Sequence, residues 1–262
     1  MKKGIIGIIP DVCDIKRTMK LAEEYGAVFE YNDFMLPQQL DQTDECRKKV
    51  DFYRKLDRDR SEDTLHGAFL DITVHSQDAM IREISRKRIY QSLRIAEDLE
   101  IRGVVFHTEL IANYHSPSYR ERWLEKNTEF WSRALEDFPG LEIYMENMFD
   151  EDEKSMAELG RVMESNKRFG ICLDYAHAAV FGTDIPLDCW VRQLAPYIRH
   201  MHINDNDLKD DLHLPVGQGK IDWQQFHDLT ERYQINASIL LEINGYQAQK
   251  ESLEYIRENH IL

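Results

Sequence analysis

Five short apolar runs in this chain each close on a side chain of the metal-ligand type. They are Val104-Val105-Phe106-His107, Ile143-Tyr144-Met145-Glu146, Gly170-Ile171-Cys172-Leu173-Asp174, Arg199-His200-Met201-His202 and Ile239-Leu240-Leu241-Glu242. A strand that finishes on a carboxylate or imidazole carries that group to the rim of a sheet, and parallel strands gather such groups at one end. In a barrel of alternating strands and helices that end holds the active site. The pattern therefore constrains architecture and chemistry together.

The remaining sequence keeps the same rhythm. Strands are expected near Ile5 to Ile9, Val28 to Tyr31, Thr64 to Phe69, Gly103 to His107, Leu141 to Glu146, Phe169 to Asp174, Ile198 to Ile203 and Ser238 to Glu242. Their nearly unbroken apolar character suits strands buried on both faces. Between them lie helical stretches, including Ile15 to Tyr25 ending at Gly26, the polar run Asp44 to Arg58, and Asp78 to Leu99 with Ile81, Ile84, Ile89, Leu93 and Ala96 on one face. Pro117 early and Gly140 late bracket another helix. About eight strand–helix units without a linker, in 262 residues, predict one domain over 1–262, an α/β chain forming a (β/α)₈ TIM barrel. A doubly wound open sheet is the alternative.

Composition narrows the partners. Lys plus Arg is 33 against 48 Asp plus Glu, a net charge of −15, which repels a polyanion such as nucleic acid. No apolar run spans a membrane. The first residues read as a strand, not a leader, so the chain is expected to be cytoplasmic. The cysteines Cys13, Cys46, Cys172 and Cys189 form no C-x-x-C pair, and Cys172 is expected to be a buried thiol.

Glu146, Asp174, His202 and Glu242 end four successive strands. Three carboxylates and an imidazole without thiolates suit Mn²⁺, Mg²⁺, Co²⁺ or Zn²⁺. An aspartate after a strand is more often a cap; four such residues in the same register point to a site. In His200-Met201-His202 the alternation is read as turning the imidazoles to opposite faces, with His202 the ligand and His200 a buried structural histidine. Asp174-Tyr175-Ala176-His177 places an imidazole just past a strand. Asp211-Leu212-His213 sits in a loop with turn-permitting Gly217 and Gly219, followed by Asp222 as a helix cap. His66 and His107 also end strands. Glu30 and Glu109 are further candidates for the same rim, Glu109 as support behind His107.

These residues resemble those of the xylose isomerase-like TIM-barrel superfamily, which contains sugar and sugar-phosphate isomerases and epimerases and the endonuclease IV family. The resemblance covers essentially the whole chain. It implies a divalent metal on Glu146, Asp174, His202 and Glu242, with Glu146 and Glu242 also catalytic as acid and base, and His177 on substrate. The endonuclease branch carries up to three zinc ions, and matching positions are His66, His107, His177, Asp211 and His213; Asn204 also looks like that branch. Departures are Glu146-Asn147-Met148-Phe149-Asp150, which lacks that branch's small-residue run, and Thr108-Glu109 after His107 in place of Pro-Gly. The chain also has no clear DNA-intercalating loop.

Two functions follow from the resemblance, the first expected and the second its alternative. In the first, a small sugar or sugar phosphate is isomerised or epimerised, Glu146 and Glu242 moving a proton through a metal-stabilised enediolate. In the second, two or three zinc ions assist hydrolysis of a phosphoester. The partners expected are a small carbohydrate or sugar phosphate, with self-association left open; nucleic acid and membrane are not expected.

Overall fold

The computed structural model describes residues 4–182 and 185–262. Parallel strands β1 (Ile6–Ile8), β2 (Val28–Tyr31), β3 (Thr64–His66), β4 (Gly103–His107), β5 (Glu142–Glu146), β6 (Phe169–Asp174), β7 (Ile198–Ile203) and β8 (Ser238–Leu241) close into a barrel in chain order. β8 pairs with β1, Leu240 opposite Gly7, so the doubly wound alternative is excluded. Around the barrel run α1 (Ile15–Tyr25), α2 (Pro37–Asp41), α3 (Thr43–Arg54), α4 (Ala79–Leu99), α5 (Pro117–Asp137), α6 (Lys154–Met163), α7 (Tyr175–Phe181), α8 (Leu187–Leu194), α9 (Trp223–Arg232) and α10 (Tyr246–Glu258). Among the described residues no helix is long and apolar enough to cross a membrane.

Alternation along each strand sorts its side chains. Val104, Phe106, Ile143, Met145, Ile171, Leu173, Met201 and Ile203 face outward into the main core with Trp123, Trp131, Trp190 and Phe226 from the helices. Their neighbours Val105, Tyr144 and Cys172 form a separate buried cluster, inside the barrel. That inner set leads upward, two residues on, to His107, Glu146 and Asp174. Register completes the alignment. His107 pairs with Glu146. A shift between Ile171 and Cys172 skips Arg199, so that Asp174 lies beside His202.

Sequence periodicity places most elements, with local differences. The helix expected to Arg58 stops at Arg54. Helices α2 and α7 are short additions: Pro37 opens α2 with the Gln39 side chain accepting from Leu36 N at 2.8 Å, and Asp174 caps α7 by accepting from His177 N at 2.6 Å. Ile81 and Ile84, expected on the buried face of α4, are exposed; the buried stripe runs through Ser85, Ile89, Ser92, Leu93 and Ala96.

Candidate metal centre

The strand ends deliver side chains to one rim. His66, His107, Glu146 and Asp174 terminate β3 to β6, His202 is next to last in β7, and Glu242 follows β8 directly. His177 comes from the first turn of α7, and Asp211 and His213 from the loop between β7 and α9. All nine converge as three adjoining clusters. In the first, His107 Nε2 lies 3.2 Å and His66 Nε2 3.5 Å from Glu146 Oε2, and the two nitrogens are 3.2 Å apart. In the second, His202 Nδ1 lies 3.1 Å from Glu146 Oε1 and 3.4 Å from Glu242 Oε2. There the nearest ligand atoms of Glu146, Asp174, His177 and Glu242 all fall within 4.8 Å of one another. In the third, Asp211 Oδ2 lies 3.4 Å from His177 Nε2 and 3.2 Å from His213 Nε2. Glu146 belongs to two clusters, one oxygen facing each.

Hydrogen bonds behind the ring determine which nitrogen faces inward. His66 Nδ1 meets Gly67 O at 3.1 Å, His177 Nδ1 meets Asn147 O at 2.9 Å, and His213 Nδ1 meets Glu242 O at 2.7 Å. A carbonyl only accepts, so each Nδ1 carries the proton and each Nε2 turns a lone pair toward the carboxylates. Lone pairs facing carboxylates need a positive charge between them, either a proton or a cation. Five buried atoms of the clusters lack a hydrogen-bond partner: Glu146 Oε2, Asp174 Oδ2, His177 Nε2, Asp211 Oδ1 and Glu242 Oε2. Some sit within ion-pair range of a neighbour but are not aligned to bond it. Orphaned, buried, convergent ligand atoms fit a divalent metal.

The electrostatics point the same way. Burial opposes the charge on Glu146, yet His202 and His107 outweigh it and hold the carboxyl well below its usual range. Burial likewise opposes Glu242, and His202 holds it low. Asp174 has less help: burial pushes it up to about 7 despite His177. Against burial, His202 rises well above the ordinary imidazole value through Cys172 and then Glu146, Glu30 and Glu242, and His177 through Asp174, Asp211, Glu146 and Glu242. His213 is raised to about 9, Asp211 and Glu242 overcoming its burial. Burial moves His107 down, whereas Glu146 moves its neighbour His66 up.

Several organising residues escaped the sequence reading. Asn147 accepts from Asp174 N and donates to Asp174 O, both at 2.9 Å, locking the ends of β5 and β6 together. Asp205 is buried and accepts from Asn206 N, Gly217 N, Ile221 N and Trp223 Nε1 at 2.8–3.1 Å. It pins the loop that carries Asp211 and His213. A side chain at Gly219 would collide with Asp205 Oδ1 and the Asn206 backbone, and Gly217 has φ +89°, so both glycines serve this wrap. The nearest sequence signal was Gly217-Gln218-Gly219. Asp222 caps α9 as expected, accepting from Gln225 N at 2.9 Å.

His200 requires a correction. It does not face away from His202: residues i and i+2 share a face of a strand, both imidazoles point into the barrel, and both reach Glu30 at 3.1 Å. Glu30 thus sits a layer below the rim. Glu109 stands apart from the three clusters, beside a cavity of about 270 Å³ lined also by Asp71, Thr108 and Phe149. Burial and Asp71 push its carboxyl up to about 7. Cys172 is a buried free thiol.

Fold and site define an eight-stranded α/β barrel with an imidazole–carboxylate centre suited to divalent metal. Residues 19–259 match the family described as Xylose isomerase-like TIM barrel, and the chain belongs to it. By sequence it is 25% identical over 221 residues to an uncharacterised protein of Methanocaldococcus jannaschii, covering 80% of this chain and 74% of that one. It is also 25% identical over 208 residues to a probable endonuclease 4 of Mycobacterium leprae, covering 74% and 77%. Among solved structures, a Thermus thermophilus protein soaked with zinc chloride aligns with a TM-score of 0.73, 20% identity and coverage of 97% and 96%. A D-tagatose 3-epimerase-like protein aligns with a TM-score of 0.67, 22% identity and coverage of 98% and 99%. At these identities the structural likenesses show the fold.

Proposed function

We propose that this protein is a metal-dependent enzyme, a di- or trinuclear zinc hydrolase of a phosphoester. One observation carries the reading: His66–His107 on one side and His177–Asp211–His213 on the other complete two further clusters beside Glu146, Asp174, His202 and Glu242. A one-metal proton-transfer enzyme needs only the last four. Divalent cations in such clusters supply Lewis acidity, polarising a phosphoryl oxygen, easing ionisation of water and offsetting charge on the leaving oxygen. The chain's own part is positional. Backbone carbonyls orient three imidazoles, Asn147 aligns Asp174 with Glu146, and the buried carboxylates shape an anionic cage in which a phosphoester is neutralised only through bound cations. The name of the Mycobacterium leprae relative favours the same chemistry. A small phosphoester is the preferred substrate class, because −15 of net charge disfavours a long polyanion.

A second reading keeps isomerisation or epimerisation of a small sugar or sugar phosphate. It is favoured by Glu146 and Glu242 flanking His202 at 3.1 and 3.4 Å, a pair able to take and return a proton. The name of the epimerase-like structural neighbour supports it. The deciding experiment combines metal analysis with two assays on purified protein. The hydrolase reading expects two or three zinc ions per chain and zinc-dependent release of alcohol from a panel of small phosphomonoesters and diesters. One ion per chain, with solvent deuterium incorporated at carbon in a ketose and loss of that exchange in Glu242→Gln, would overturn it in favour of the isomerase.

A further inference from the structure

Directly beneath the centre the barrel interior is polar. Glu30 on β2 is fully buried. Its Oε2 accepts from Thr64 Oγ1 at 2.6 Å and from His200 Nε2 at 3.1 Å. Its Oε1 lies 3.1 Å from His202 Nε2. His200 is itself anchored: Nδ1 meets Ser238 Oγ at 2.7 Å, and the ring stacks on Tyr144 with centroids 5.2 Å apart and planes 28° apart. Side chains from β2, β3, β5, β7 and β8 thereby form one connected layer under His202.

We infer that Glu30 is a positioning residue: held by Thr64 and His200, it orients His202 from inside the barrel and strengthens that imidazole's hold on a divalent cation. The inference rests on the proposal that the His202 cluster binds metal. A buried carboxylate costs several kcal/mol unless its charge is answered, and apolar layers are the usual filling of such barrels. A lone glutamate placed here has two imidazoles and a hydroxyl arranged around it. The ion pair between Glu30 Oε1 and His202 Nε2, 3.1 Å apart, places a carboxylate behind the ring whose Nδ1 faces Glu146 and Glu242. A carboxylate behind a ligating imidazole fixes its ring and raises its basicity.

Cys172, His200 and His202 also approach closely enough to suggest a cation cage of their own. The hydrogen bonds argue against that use. Glu30 engages His200 Nε2 as an N–H donor, and Nδ1 then accepts from the Ser238 hydroxyl, leaving His200 no free lone pair.

The test measures zinc affinity by competition with a chromophoric chelator, on metal-stripped full-length protein, and follows cobalt binding by visible absorption. Glu30→Gln nearly preserves shape while removing the charge. It should weaken one class of zinc site by roughly 10- to 100-fold, leaving the other classes at wild-type affinity. Thr64→Val, which retains the charge but loses the 2.6 Å bond, should weaken the same class by a smaller factor, about threefold. If Glu30→Gln does not fold, Thr64→Val carries the test alone. Wild-type affinities in the folded variants would overturn the inference while leaving the metal-centre reading intact. Wild-type protein that binds no divalent ion would overturn both. A cobalt–thiolate absorption band lost in Cys172→Ser would also overturn it, making Glu30 part of a cage and not a support.

Discussion

His66, His107 and Glu146 sit on strand ends with at most 4% side-chain exposure, whereas Asp211 and His213 ride a loop and keep 21% and 31%. The strand-borne half is held by ladder register, with a buried carboxylate, Asp150, behind it. Asp150 Oδ2 accepts from Thr108 Oγ1 at 2.6 Å and Met148 N at 3.0 Å, tying together the chain segments that leave β4 and β5. The loop-borne half depends on Asp205, which gathers three backbone N–H groups and an indole. A strand inherits its geometry from the barrel, while a loop must be given geometry by local hydrogen bonds. The two halves should therefore fail separately.

The largest effect should come from Glu146→Gln, which removes a group shared by the two strand-borne clusters. We expect loss of the strand-borne ions with the loop-borne ion retained, and a fall in turnover on the order of 10³-fold or more, corresponding to about 4 kcal/mol. Elemental analysis alongside steady-state assay would check it; equal loss of every ion would break the distinction between halves. Asp205→Ala should do the opposite. It leaves buried donors unpaired, which should cost about 2–4 kcal/mol of stability and remove the loop-borne ion while His66, His107 and Glu146 keep theirs. Urea denaturation together with zinc stoichiometry reads both.

The smallest effect concerns Asp150. Burial, reinforced by Asp152 and resisted by Thr108 and Met148 N, pushes its carboxyl up from 3.8 to about 6. The folded state then binds the proton more tightly than the unfolded state, so Asp150's contribution to stability is fully present below about pH 4 and is lost as pH rises to about 6. Asp150→Asn should abolish that component and stabilise the protein at neutral pH by about 1–3 kcal/mol. Urea midpoints of wild type and variant measured at pH 4 and pH 7 test the sign. A variant less stable at pH 7 would mean that the charge itself holds the two segments together.

The strand-terminal imidazoles and carboxylates were legible because a strand's last residue has a predictable destination once the barrel is recognised. Gly103–His107 and Phe169–Asp174 were legible as apolar runs that close on a ligand-type residue, and Val28–Tyr31 and Ile198–Ile203 as shorter apolar stretches interrupted by Glu30 and by Arg199, His200 and His202. His200 was misread through the parity of the strand, although that parity is simple. Asn147 and Asp205 were hidden because their work is done through backbone groups distant in sequence or around a turn. Helix α7 was concealed because Asp174 serves both as a strand end and as a helix cap.

By itself the sequence determined the alternating architecture, the acidic character and the strand-end side chains His66, His107, Glu146, Asp174, His202 and Glu242, since each follows from local periodicity, composition or strand-end placement; His177, Asp211 and His213 joined them through the family resemblance. Only the tertiary structure decided how those side chains partition. Glu146 came to join the first two clusters because the pairing of β4 with β5 and the shift between β6 and β7 set heights on the barrel wall. Glu30 became the residue beneath His202 because barrel closure brings β2 and β7 across one interior, joining Glu30 to His200, 170 positions further along the chain. Register and closure are long-range properties, and no local stretch of sequence contains them.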